Sequence, residues 1–120
     1  MALGTTVLKE SSFAESPVWK RTITYTFADD DTTLTPHALS INGIIQRMII
    51  KLGTATDGGA TATLALTDSD GNSIFSAAAL ADATSYAYSI SEPISDVVNV
   101  NVTPTDPGGA WTITVYLRGI

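Results

Sequence analysis

The best-spaced oxygen donors for metal chemistry surround Gly71. Asp68, Asp70 and Asn72 alternate with single residues, as the first ligands of an EF-hand calcium loop do. That loop needs its glycine after the third ligand and a glutamate at the twelfth position, but here Gly71 precedes Asn72 and Ala79 occupies that position. Asp70-Gly71 suits a type I′ turn, whose two central residues both have positive φ. We therefore expect a hairpin, with cation binding by Asp68 and Asp70 as the alternative.

The other potentially reactive side chains lack partners in the sequence. Asp29, Asp30 and Asp31 place three carboxylates on one loop, where either a cation or water could relieve their repulsion. His37, the single histidine, follows Pro36 in a segment expected to be a loop, and it has no positioned serine or aspartate to make it a catalytic base. The chain has no cysteine, which excludes disulfides, thiolate metal sites and cysteine nucleophiles. The sequence therefore predicts no enzyme activity, no cofactor and no small-molecule substrate.

Length and charge narrow the class of protein. The chain has 120 residues and a net charge of −6, so we expect one domain and no nucleic-acid partner. No apolar run approaches the roughly 20 residues of a membrane helix, and no membrane partner is expected. Only 15% of the residues are charged, against about 25% in an average soluble protein. A surface of Thr, Ser, Ala and Asn suits a protein packed against neighbours, although threonine also simply favours strands.

Alternation of apolar and polar residues predicts β-strands through most of the chain. Five segments alternate in this way, over residues 18–27, 60–67, 86–90, 96–103 and 111–118. We therefore predict an all-β fold, an antiparallel β-sandwich of seven or eight strands, jelly-roll-like or immunoglobulin-like, over residues 18–120. Residues 1–17 are weakly patterned and are expected to form an N-terminal arm or an edge strand. Only residues 77–83 could form a helical turn.

The segment over residues 44–52 is apolar on both faces. One face carries Ile44, Met48, Ile50 and Leu52, and the other carries Ile45 and Ile49 with Arg47 and Lys51. Such a strand is either covered on both sides within its own fold, or its outer face meets another subunit. Tyr116 is the aromatic residue that falls on the polar face of its strand. The candidate oligomer or capsid contacts are Ile45, Ile49, Arg47 and Tyr116.

The order of several motifs resembles a known group of proteins. An apolar strand ending at glycine (residues 44–53) precedes a Leu-Thr-Asp-x-Asp-Gly hairpin (66–71), a valine-alternating strand (96–103) and a closing Trp-Thr-Ile-Thr-Val-Tyr-Leu-Arg strand (111–118). This order, over residues 20–120, resembles the small β-sandwich virion proteins encoded among the structural genes of tailed bacteriophages. The resemblance implies a non-enzymatic structural component of the phage particle, assembled in the bacterial cytoplasm.

Within that group, capsid decoration is the function that we expect. A decoration (cement) protein bridges capsomers through many copies of a small contact, so symmetry supplies avidity. Its partner would be the major capsid protein or another virion protein. A homotrimer would suit the threefold positions of a capsid lattice, with residues 1–17 clasping a neighbour. The alternatives are a neck, tail or fibre-attachment protein with the same sandwich, and a carbohydrate-binding β-sandwich module.

Overall fold

The computed structural model of the protein describes residues 7–15, 18–28, 35–105 and 107–120. These residues form nine β-strands: β1 (Val7–Glu15), β2 (Val18–Phe27), β3 (Thr35–Ser40), β4 (Gly43–Leu52), β5 (Thr61–Asp68), β6 (Ser73–Ala81), β7 (Ser85–Ile94), β8 (Val97–Pro104) and β9 (Trp111–Gly119). Asp29, Asp30 and Asp31 lie outside the described residues, so the cation alternative there stays a prediction. The described residues include no helix that could span a membrane.

The strands form two antiparallel sheets that pack face to face. The first sheet has the order β1-β2-β9-β4-β7 and the second has the order β3-β8-β5-β6. Without the edge strand β1, each sheet has four strands, in the orders β2-β9-β4-β7 and β3-β8-β5-β6. This is the strand order of a jelly roll. The predicted β-sandwich is therefore confirmed, and of its two forms the jelly roll is the one observed.

The core lies between the inner faces of the two sheets. Alternate residues of β9 point inward, and Trp111, Ile113, Val115 and Leu117 are all at most 1% exposed. From the second sheet, β5 and β8 contribute alternate residues in register, with Leu64 opposite Val102 and Leu66 opposite Val100. Burying each of these side chains stabilises the fold by about 1.5–3 kcal/mol, which is what drives the two sheets together.

A β-bulge in β4 changes which of its residues face the core. Ile45 lies opposite Gly119 and Arg47 lies opposite Arg118, so β4 advances two residues where β9 advances one. The bulge places Ile45 and Arg47 on opposite faces, although they are two residues apart. Ile45 is 0% exposed. The prediction that Ile45 lies on the outer face with Ile49 is therefore wrong, because it continued the alternation through the bulge.

The N-terminal segment forms the outermost strand of the first sheet. β1 pairs antiparallel with β2, from Val7 opposite Thr26 to Glu15 opposite Val18. Of the two alternatives for residues 1–17, the structure has an edge strand over residues 7–15. Residues 1–6 and 16–17 lie outside the described residues, and a clasp formed by this segment stays a prediction.

Two predicted local structures differ from those observed. His37, expected in a loop, lies in β3 opposite Val100. The helical turn expected over residues 77–83 is absent, because residues up to Ala81 belong to β6. A register shift interrupts β6 where Ala79 has a φ of 56°. This interruption breaks the period-two pattern of the strand. The sequence pattern therefore did not predict a strand over this segment.

Candidate functional site

The outer face of the first sheet is built from three cross-strand rows of residues. The rows are Lys20, Arg118, Arg47 and Ser89; Thr22, Tyr116, Ile49 and Ala87; and Thr24, Thr114, Lys51 and Ser85. Each row runs across β2, β9, β4 and β7, and the residues between the rows belong to the opposite face of the sheet. We call these three rows the basic face.

The basic face concentrates the positive charge of an acidic protein. Lys20, Arg47, Lys51 and Arg118 lie on it, and the whole chain has only six lysines and arginines. None of the twelve aspartates and glutamates of the chain belongs to the three rows. The face is therefore locally positive although the net charge of the protein is −6.

The first row places like charges directly opposite one another. Arg118 lies between Lys20 on β2 and Arg47 on β4. Like charges opposite each other on adjacent strands destabilise a sheet, by up to about 1 kcal/mol per pair. Within the described residues, neither Arg47 nor Arg118 forms an ion pair with a carboxylate. The row therefore works against the stability of the sheet, which is typical of charges that serve binding.

The middle row gives the face a partly apolar centre. Tyr116 lies directly opposite Ile49, and both side chains are half-buried. The ammonium nitrogen of Lys20 lies 5.3 Å from the centre of the Tyr116 ring, which is within cation–π distance. Ile49 and Tyr116 border a shallow open groove together with Lys51 and Arg118. An aromatic and aliphatic centre within a cationic rim is the usual make-up of a protein contact surface.

The structure brings together three of the four predicted contact residues. Ile49, Arg47 and Tyr116 lie on the basic face, whereas Ile45 is in the core. Their role in binding stays a prediction. Sequence reasoning missed Lys20 and Arg118 as contact residues. Each could be placed on the polar side of its own strand, but their proximity depends on β9 lying between β2 and β4.

The Asp68 hairpin is explained by its own hydrogen bonds. One carboxylate oxygen, Oδ1, accepts from the backbone N–H of Asp70 at 3.0 Å and of Asn72 at 2.8 Å. These bonds, led by that from Asn72, lower the pKa of Asp68 below its usual value of 3.8. Gly71 has a φ of 85°, whereas Asp70 does not have positive φ. The expected hairpin is present, but its turn is not type I′.

The remaining polar residues that the structure describes do not assemble a metal site. In the described part of the chain, no group of three His, Asp or Glu side chains could hold a metal ion. Asp82 accepts a hydrogen bond from the backbone N–H of Ala55 at 3.2 Å, and Asp57 accepts one from Gly59 at 2.9 Å. These carboxylates therefore stabilise loops. The basic face is therefore the candidate binding surface.

Comparison with known proteins shows the fold. No protein-family model and no curated protein sequence matches the chain. A subunit of Bacillus endospore appendages, described as disulfide-linked pili, is 15% identical with a TM-score of 0.54, over 99% of this chain and 93% of that one. The VP2 subviral particle of infectious bursal disease virus is 16% identical with a TM-score of 0.52. That match covers 86% of this chain and 32% of VP2.

A third solved structure widens the range of proteins with this fold. The Yersinia pseudotuberculosis-derived mitogen is 12% identical with a TM-score of 0.50, over 82% of this chain and 86% of the mitogen. A pilus subunit, a viral particle protein and a mitogen thus share the β-sandwich. At such low identities the similarity extends to the fold alone, and function has to be argued from the basic face.

Proposed function

We propose that the protein is a non-enzymatic structural subunit of a tailed-phage particle, and specifically a capsid decoration protein that bridges capsomers. The basic face carries this proposal, because it is an open sheet surface with a partly apolar centre and cations that have no carboxylate partner in the described residues. Such a surface suits binding to another protein better than binding a small substrate.

The fold supports a role in an assembly. A jelly roll is a rigid platform, and its flat outer face can be repeated many times on a symmetric surface. Two of the similar solved structures are a pilus subunit and a viral particle protein. Because the chain has no cysteine, it cannot form the disulfide links of those pili.

Within the particle, the proposed partner is the major capsid protein or another virion protein, with the chain as a homotrimer at threefold positions. Arg47, Ile49 and Tyr116 are the proposed contacts, either with a neighbouring copy or with the capsid. A carbohydrate-binding role has less support, because the Lys20 ammonium lies over the Tyr116 ring that a sugar would have to stack on. Neck, tail and fibre-attachment positions are the alternative placements.

Electron microscopy of labelled particles tests the proposed placement. Gold-conjugated antibodies against the purified protein would be applied to particles of the phage that encodes it. Decoration predicts label over the capsid shell, whereas label at the neck, tail or fibres would support the alternative placements. Particles produced without the gene are the control, and adding purified protein to them should restore the label. Absence of the protein from purified particles would contradict a virion role.

A further inference from the structure

One end of the sandwich carries exposed carboxylates. Asp68 lies opposite Val98 in the register of β5 and β8, and Asp96 precedes Val98 by two residues. The β5–β6 hairpin and the β7–β8 turn therefore lie at the same end of the molecule. Asp70 and Asp96 are exposed, and the turn hydrogen bonds keep Asp68 ionised. We call Asp68, Asp70 and Asp96 the acidic end.

We propose that the basic face binds the acidic end of a second copy of this chain. The two surfaces are complementary in charge. Within the described residues, the cations of the face have no carboxylate partner, and Asp70 and Asp96 have no side-chain ion pair. In an assembly of many copies, the carboxylates of a neighbouring copy are present at high local concentration. Binding them would relieve the repulsion in the row of Lys20, Arg118 and Arg47.

The charge pattern also determines how the copies can be arranged. Two basic faces packed against each other about a twofold axis would bring two sets of four cations together with no carboxylate from either face between them. The contact must therefore join two different surfaces, the face of one copy and the acidic end of another. Contacts of this kind can close into a ring, and a ring of three agrees with the proposed homotrimer.

The size of the face predicts a weak individual contact. Four strands about 4.8 Å apart and three rows about 7 Å apart give a surface of about 400 Å². Stable protein interfaces bury about 800 Å² on each partner. A single contact should therefore be weak, and a closed ring or a capsid surface would strengthen it through avidity. Long-range repulsion between acidic copies is screened at physiological salt, whereas contacts at ion-pair distance are screened less.

Two variants test the contact directly with purified protein. Arg47→Ser with Arg118→Ser removes two of the four cations of the face, and Asp70→Ser with Asp96→Ser removes the two exposed carboxylates of the acidic end. Sedimentation velocity, at concentrations up to about 1 mM, should show association of the natural chain at about 50 mM salt and its loss at about 500 mM salt. Each variant alone should remain monomeric. A mixture of the two should form a one-to-one complex, because one intact face then meets one intact end.

The matched control is Asp57→Ser, which removes an exposed carboxylate from a different loop and should leave association unchanged. Circular dichroism would establish that each variant is folded. The proposal is overturned if the natural chain stays monomeric at low salt, or if the two folded variants form no complex when mixed. Binding of a short DNA duplex by the face without self-association would also overturn it. These outcomes do not bear on the presence of the protein in the virion, which the labelled particles test separately, although a monomeric natural chain would also contradict the proposed homotrimer.

Discussion

At the scale of single residues, Tyr25 connects the two sheets through the core. Its hydroxyl donates a hydrogen bond of 3.0 Å to the carbonyl oxygen of Val100, joining β2 in the first sheet to β8 in the second. The Tyr25 side chain is 0% exposed, and burial raises its pKa well above the usual value of 10.0. The core therefore holds the neutral phenol.

Tyr25→Phe should lower the free energy of unfolding by about 1 kcal/mol at neutral pH, because the hydrogen bond to Val100 is lost. In the natural chain, Tyr25 ionises in the unfolded state near pH 10 but stays neutral in the fold. Tyr25 therefore makes its full contribution to the free energy of unfolding below pH 10, and this contribution declines as the pH rises further. Urea unfolding at pH 7 and about pH 11 would show a smaller alkaline loss for Tyr25→Phe. Equal losses in both proteins would contradict this account.

Substitution of Gly71 tests the backbone conformation of the Asp68 hairpin. Its φ of 85° disfavours any side chain, and no atom lies within 4 Å of the position that a Cβ would occupy. Gly71→Ala should therefore cost about 1–2 kcal/mol of stability from backbone strain alone. Gly58→Ala is the matched control, because that position is equally open and its φ lies outside the left-handed region. Thermal unfolding should separate the two variants, and equal melting temperatures would refute the strain.

At the scale of elements, the β4 bulge assigns opposite roles to Ile45 and Ile49. Ile45→Ala would leave a cavity in the core and should cost about 2–5 kcal/mol of stability. Ile49→Ala removes a half-buried side chain from the outer face and should cost less than about 1 kcal/mol. Urea unfolding of the two variants compares them directly. Similar costs would mean that the bulge does not reorient the strand.

The strands that could be predicted from the sequence are those with one buried face and no interruption. β5, β8 and β9 alternate along their whole length, so their inner residues could be read directly. β3 was missed because it is short and begins at Thr35-Pro36. The orientation of Ile45 was missed because a bulge leaves no mark on residue types. The basic face could not be predicted as a unit, because it depends on which strands are neighbours.

At the scale of the whole molecule, charge is separated between the basic face and the loops. Arg118 lies between two other cations, so Arg118→Gln should raise the stability of the isolated chain by a few tenths of a kcal/mol to about 1 kcal/mol at low salt. The gain should shrink at about 0.5 M salt, where exposed charges are screened. Lys51→Gln is the control, since Lys51 lies opposite Thr114 and Ser85. A gain of the same size for both variants, measured by urea unfolding, would argue against repulsion within the row.

The position of β9 has a consequence for the order in which the protein can fold during synthesis. β9 is the last of the nine strands along the chain, yet it lies between β2 and β4 in the first sheet. Until residue 119 has left the ribosome, β2 has no partner on that side and β4 pairs only with β7. The nascent chain would therefore expose unpaired strand edges throughout its translation. Chaperone binding to ribosome-bound chains should persist until β9 has emerged.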